Sequence, residues 1–223
     1  VNQTSTLPLS NTFLCIIKLH FFFFLFYLME LKYYVIYKPY QMLSQFSPEG
    51  GKSCLKDFAI FPKNAYPVGR LDYDSEGLLI ITNDNKLKNI LTNPKSNIKK
   101  SYYAQVEGIS SISQIAELEK GVEINLKSGK YITKPAIVEI ISTPNVPERQ
   151  PPIRFRKQIP TTWLSITITE GKNRQIRKMT AAVNLPTMRL IRYSIGKLNL
   201  QFLDGKSMIE ISKDEIYKLT MGN

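Results

Sequence analysis

Apolar positions fall in short bursts along this chain, and most bursts carry the two-residue period of a strand. Leu164-Ser165-Ile166-Thr167-Ile168-Thr169 alternates strictly, which predicts a strand with one face in a core. Residues 33–37 are aromatic and β-branched and close at Lys38-Pro39, where proline ends the ladder. Residues 78–81 read as a short buried strand. Residues 102–106, 136–141, 187–194 and 207–211 complete the predicted strands.

Helices are fewer. Asn83-Asp84-Asn85 offers polar caps to a short helix over residues 86–91, which stops before Pro94. Residues 113–120 place Ile115 and Leu118 on one face and meet a stop at Gly121. Gly171-Lys172-Asn173 turns into a helix on which Ile176, Met179 and Val183 share an apolar side, while Arg174, Arg177 and Lys178 fall on another. Residues 213–219 predict a closing helix. Ser47-Pro48-Glu49-Gly50-Gly51 is a turn-rich loop. Many strands with a few helices, out of strict βαβ order, predict an α+β domain: a mixed, largely antiparallel sheet with flanking helices. No internal repeat is visible.

Two stretches break this pattern. Residues 143–160 hold Pro144, Pro147, Pro151, Pro152 and Pro160 together with Arg149, Arg154, Arg156 and Lys157. The prolines predict a stiff extended loop. The cations make it either a solvated connection or an arm that contacts phosphates. Residues 13–28 are dominated by Phe, Leu and Ile. A signal peptide would need a basic start and a small-residue cleavage site, and neither is present. Lys18 and His20 interrupt a membrane span. The favoured expectation is that residues 1–28 are upstream sequence translated past a true start at Met29, and that 29–223 is the catalytic domain. A genuine anchor is the rival; no stable membrane partner is expected.

Composition narrows the chemistry. The 223 residues are 43% hydrophobic and 22% charged, an ordinary globular mixture able to bury a core. Two cysteines, Cys15 and Cys54, cannot make a disulfide framework, so a reducing cytoplasm is expected. The net charge of +12 favours a polyanionic partner, because each neutralised phosphate releases counterions. A merely solubilising surface is the plainer alternative. His20 is the only histidine, which excludes a Ser-His-Asp triad, a Cys-His pair and the usual zinc sets from the body of the chain. An enzyme here must work with carboxylate, Tyr, Lys or Arg.

Four blocks supply such groups. Val68-Gly69-Arg70-Leu71-Asp72-Tyr73-Asp74-Ser75-Glu76-Gly77 sets Asp72 in a polar turn at the lip of a strand. Lys100-Ser101-Tyr102 opens another strand, and a tyrosine there can stack on an extruded base; a core aromatic is the plainer reading. Gly171 to Met179 is the basic helix start, whose N-terminal end would offer charge and amides to anions. Arg189-Leu190-Ile191-Arg192-Tyr193-Ser194-Ile195-Gly196 alternates Leu190 with cations expected to face outward.

In this order the four blocks resemble the RsuA/RluA-type pseudouridine synthases. Arg-Gln-Ile-Arg-Lys-Met and the Leu-x-Arg-x-x-Ile-Gly close have the RsuA-branch form. The Pro-Pro-Ile-Arg-Phe-Arg segment, and a catalytic pattern that starts almost at Met29 with no S4 RNA-binding domain before it, resemble the RluE-like subgroup. That resemblance implies an isomerase making pseudouridine from a specific uridine of 23S (large-subunit) rRNA, the uridine 2457 site near the peptidyl-transferase centre. It implies Asp72 as the catalytic carboxylate and Arg177 as the neighbouring guanidinium that keeps it charged and fills the space of the flipped uridine. It implies Tyr102 as the stacking residue, with Leu71 and Leu190 as substrate-pocket residues. The expected RNA contacts are Arg70, Lys100, Arg149, Arg154, Arg156, Lys157, Lys172, Arg174, Lys178, Arg189 and Arg192. The product is an isomer, so no cofactor and no metal are expected, and a monomer acting on 23S rRNA or a large-subunit assembly intermediate is. The rivals are a synthase for another rRNA or a tRNA, and a non-catalytic RNA-binding assembly factor.

Overall fold

The computed structural model describes residues 30–153 and 159–222. The leader expected over residues 1–28 lies outside the described residues. Lys32–Asn223 forms one unit by itself, apart from Val1–Leu31.

The elements follow the polar–apolar pattern closely. Strand β1 (Tyr33–Lys38) is followed by a one-turn helix α1 (Leu55–Phe58), the short β2 (Tyr66–Pro67) and β3 (Glu76–Thr82). Helix α2 (Asn85–Thr92) starts where Asp84 accepts hydrogen bonds from the Lys86 and Leu87 amides, as an N-cap should. Strand β4 (Lys100–Glu107) leads to helix α3 (Ile112–Lys120), which Ser111 and Gln114 close with a capping box. Next come β5 (Glu123–Leu126), β6 (Gly129–Ile132), β7 (Ile137–Ile141) and β8 (Thr161–Ile168). Helix α4 (Gln175–Ala182), strands β9 (Thr187–Ile195), β10 (Leu198–Asn199) and β11 (Met208–Glu210), and helix α5 (Lys213–Met221) complete the chain.

The main sheet runs β11-β1-β3-β9-β4-β8-β7, with β2 beside β3 and β10 beside β9. Every pairing is antiparallel except one: β3 and β9 are parallel, through Glu76↔Ile191 and Gly77↔Arg192 alone. This short parallel junction joins two antiparallel halves. It needs glycine at position 77, where φ is +105° and a Cβ would sit 2.4 Å from the Arg192 carbonyl oxygen.

The halves have separate cores. Ala104, Val106, Leu164, Ile166 and Leu190 pack with Ile176, Met179 and Val183 of the α4 region, so the predicted apolar side of that helix is its buried side. Tyr33, Val35, Leu78 and Ile80 pack with Leu87, Leu91 and Ile216 on one side of the other half. Ile36, Leu79 and Ile81 pack with Leu55 and Leu71 on its other side. Strand β3 is thus buried over its whole length.

Two expectations need correction. Arg189 and Arg192 do not face outward: they are 8% and 3% exposed. Arg189 forms a buried ion pair with Glu76, Nη2 to Oε2 at 2.8 Å, and also donates to the Pro147 carbonyl oxygen. Arg192 donates from Nε to the Leu78 carbonyl oxygen at 2.8 Å. Both cations find acceptors across the β3–β9 junction, which alternation along one strand does not disclose. The second correction adds the β5–β6 hairpin, a separate two-stranded sheet in residues not assigned to strands.

Candidate active site

The loop between β2 and β3 is fixed by its backbone before any side chain acts. Ser44 Oγ accepts from the Leu71 amide at 3.1 Å and donates to the Leu71 carbonyl oxygen at 2.9 Å. The Gln41 amide donates to the Tyr73 carbonyl oxygen at 2.8 Å. Leu71 itself is buried in the core beneath. Asp72 therefore projects from a loop tethered on both sides of it. Such tethering keeps a reacting group near one geometry and costs no entropy at the moment of reaction.

Under that loop lies Lys38, fully buried, whose Nζ donates to the carbonyl oxygens of Pro39 and Met42 at 2.8 Å each. Burial pushes its ammonium down to about 7, against the pull of Glu76, Asp74 and Asp72. Lys38 thus shapes the segment 39–42 from which Gln41 reaches Tyr73.

The basic helix start comes up against this loop. Arg174 lies outside α4, at its N-cap, in the left-handed region with φ +53°. That conformation turns its guanidinium onto the acidic loop. Nη1 and Nη2 donate to Asp74 Oδ1 and Oδ2, each at 2.8 Å, and Nη1 stands 3.7 Å from Asp72 Oδ2. Arg177, one turn into the helix, donates from Nη2 to the Asp74 carbonyl oxygen at 2.6 Å and places Nε 3.4 Å from Asp74 Oδ2. Burial works to raise the Asp74 carboxyl, but the Arg174 hydrogen bonds and the Arg177 charge outweigh it and hold it below the ordinary range.

The guanidinium of Arg174 stands beside Asp72, and that of Arg177 lies against Asp74, with its charge also reaching Asp72. Arg174 is not part of the helix, so helical spacing misplaced it. Glu170, buried ahead of this turn, accepts from the Gln175 side chain, the Lys134 amide and the Tyr131 hydroxyl. Gln175 in turn accepts from the Lys172 amide at 2.9 Å. The β5–β6 hairpin is thereby fastened to the turn that carries Arg174.

Asp72 opens onto a cleft of about 400 Å³. Its side chain is 32% exposed, at the wall of the cleft rather than out in bulk water. Leu71, Tyr102 and Leu190 line the same cleft, and so do Arg70, Lys100, Lys172, Arg174 and Arg192. Tyr102 is set by a β-bulge. The β4–β9 register slips between Ser101↔Ser194 and Tyr102↔Arg192, leaving Tyr193 as the extra residue. Bulges re-aim side chains beside active sites, and this one brings Tyr102 opposite Arg192. The arrangement is a carboxylate, an aromatic ring and several cations around a hollow large enough for a flipped-out base.

A family model for RNA pseudouridylate synthase matches residues 32–182. Ribosomal large subunit pseudouridine synthase E of Vibrio vulnificus (strain CMCP6) is 52% identical over 185 residues, 83% of this chain and 77% of that protein. The protein of the same name from Xanthomonas axonopodis pv. citri (strain 306) is 46% identical over 169 residues, 74% of this chain and 86% of its own.

The chain belongs to the RNA pseudouridylate synthase family.

The fold agrees. A pseudouridylate synthase crystal structure matches with a TM-score of 0.69 at 24% identity, over 85% of this chain and 74% of that one. The activity of that family is the isomerisation of a uridine in RNA. Among the expected site residues, Arg177, Lys178 and Arg189 are not in the cleft wall. Arg149 stacks its guanidinium 4.2 Å from the Tyr40 ring centroid and donates to the Pro151 carbonyl oxygen. Arg154, Arg156 and Lys157 lie outside the described residues. Ser75, Asp74 and Glu170 were missed as site residues. Asp74 had a signal, being a second acid two residues after the first; Ser75 and Glu170 had none beyond standing next to a motif. Among the described residues no cluster of His, Cys, Asp and Glu could hold a metal, and no helix is long and apolar enough to cross a membrane.

Proposed function

We propose that this chain converts a uridine of large-subunit ribosomal RNA to pseudouridine, with Asp72 as the catalytic residue. The observation that carries the reading is Asp72 at the wall of the cleft that Tyr102 also lines, with the Arg174 guanidinium 3.7 Å away. The large-subunit target is supported by the relatives, which are named for it.

The reaction breaks the N1–C1′ bond, turns the uracil within the cleft and forms a C5–C1′ bond. C5 releases a proton and N1 takes one up, so nothing is oxidised or reduced. Asp72 acts as a carboxylate, at the sugar. Tyr102 offers a ring face on which the uracil stacks while it is detached. Extruding the base costs a few kcal/mol, least where it is already unpaired. Loops and distorted helices of RNA are therefore the preferred targets. Arg70, Lys172 and Arg174 at the cleft mouth meet the phosphates on either side, and Arg149 extends that basic surface.

Purified protein incubated with unmodified fragments of large-subunit rRNA, small-subunit rRNA and tRNA, followed by pseudouridine mapping, tests this. One modified uridine in the large-subunit fragments is expected, near the peptidyl-transferase centre by subgroup likeness. Modification confined to small-subunit rRNA or tRNA would refute the target.

A further inference from the structure

Two polar groups in the cleft wall have no partner among the described residues. Among the described residues, Ser75 Oγ and Arg192 Nη2 lack any hydrogen bond, although Ser75 is 1% exposed and Arg192 3%. Both residues line the cleft that holds Asp72 and Tyr102. A buried polar group left unpaired costs about 1–3 kcal/mol. Such groups at a reaction site are expected where a ligand completes them. Tyr66, Ser110 and Arg177 also carry an unpaired buried atom, but none of the three lines the cleft.

The direction of Arg192 is fixed. Its Nε is bonded to the Leu78 carbonyl oxygen, so the guanidinium is held at one end. Arg192 stands directly across the β4–β9 ladder from Tyr102. Opposed residues of an antiparallel pair project to the same face, about 5 Å apart at Cβ. A ring stacked on Tyr102 therefore brings its edge toward Arg192. Ser75 lines the cleft from the loop, one residue before β3.

An arginine nitrogen only donates, so the edge it meets must carry an acceptor. Lys100, in the same cleft, is a second donor-only group, and burial followed by the Arg192 charge brings its ammonium down to about 8. Uracil has two carbonyl acceptors. Cytosine replaces one of them with an amino group, which would set N–H against N–H.

We propose that Arg192 and Ser75 hold O4 of the uracil that stacks on Tyr102, and that Arg192, which can only donate, rejects the amino group that cytosine carries there. This rests on the synthase reading above and deepens it.

Ser75→Ala removes a hydroxyl that has no partner among the described residues to lose, so the fold should be undisturbed. Two RNAs are compared, both the large-subunit fragment that the enzyme modifies, one with uridine and one with cytidine at the modified position. Binding is measured with Asp72→Asn protein, so that no turnover intervenes. The uridine RNA should bind about tenfold more tightly, the scale of one good hydrogen bond. Adding Arg192→Gln, whose amide can accept as well as donate, should bring the two RNAs within about twofold, and adding Ser75→Ala should weaken the uridine RNA. Arg192→Lys keeps a donor-only cation and should keep the preference. Equal weakening of both RNAs by Arg192→Gln would mean a backbone contact and would overturn the assignment, as would an unchanged preference or uridine binding unaffected by Ser75→Ala. Pseudouridine mapping with the unaltered enzyme runs alongside. Pseudouridine formed while the preference survives Arg192→Gln overturns this assignment alone; no pseudouridine overturns the synthase reading and this assignment with it.

Discussion

Arg174 grips Asp74 with both ends of its guanidinium, each terminal nitrogen 2.8 Å from a different carboxylate oxygen. The same cation stands 3.7 Å from Asp72 Oδ2, close enough to attract and too far to bond. One acid of the loop is thus clamped, and the acid two residues before it keeps its oxygens available to substrate. Under the function proposed above, Asp72 is the catalytic residue and the Arg174–Asp74 clamp positions it.

Arg174→Ala should lower kcat by about a hundredfold, the scale of displacing a reacting group by roughly 1 Å. The pair is partly exposed, so its loss should cost no more than about 1 kcal/mol of stability. Single-turnover kinetics beside thermal melting separate the two. A fall in stability that accounts for the lost activity would show that Arg174 only holds the fold.

Asp74 should contribute to acid resistance. Its folded pKa is depressed below the ordinary 3.8, so the folded protein binds fewer protons than the unfolded chain as pH falls through that region. The stabilisation is present above the ordinary value and lost as pH drops through the lowered one. Asp74→Asn should flatten this acid limb in urea titrations. An unchanged limb would place the acid sensitivity elsewhere, with Asp84, which is also depressed, as the next residue to replace.

Arg189 and Glu76 should behave as structure, not as an RNA contact. Their side chains are 9% and 3% exposed. Replacing Arg189 by Met leaves Glu76 buried without its cation, which should cost about 3–5 kcal/mol in urea unfolding. The double replacement Arg189→Met with Glu76→Gln should cost less than the single one. A fully stable Arg189→Met protein with weakened RNA binding would contradict the burial.

Lys38 gives a pH signature of the same sign as that of Asp74, at higher pH. Its folded pKa of about 7 lies below the ordinary 10.5, so between these values the unfolded chain holds more protons. Stability should therefore rise with pH across that window, and Lys100, brought down to about 8, adds to the rise. Lys38→Met should reduce the slope between about pH 7 and pH 10 in urea unfolding. The same slope in the variant would show that Lys38 is not the titrating group.

The strands were legible because their period-2 pattern survives burial of one face, as in residues 164–169. Helix α2 was legible because Asp84 caps it locally. The short β5 and β6 were not: four residues each, largely exposed, they carry too little apolar signal to separate from a loop. Asp72 and Tyr102 could be marked because each sits in a contiguous motif. The pairing of Arg174 with Asp72 could not, since a left-handed N-cap conformation decides it and the two residues are far apart in sequence. Arg189 and Arg192 misled for a related reason: the acceptors that let cations sit inside, Glu76 and the Leu78 carbonyl, belong to another strand.

The most direct trial of the account is Asp72→Asn, a change of one atom in the side chain. Unmodified large-subunit rRNA is incubated with the variant and with the unaltered enzyme, pseudouridine is mapped, and RNA binding is measured on the same preparations. The account predicts no pseudouridine from the variant and RNA binding within about threefold of the unaltered enzyme, since a neutral amide fills the same space and changes one charge among many. Pseudouridine formed by Asp72→Asn at an undiminished rate would contradict it.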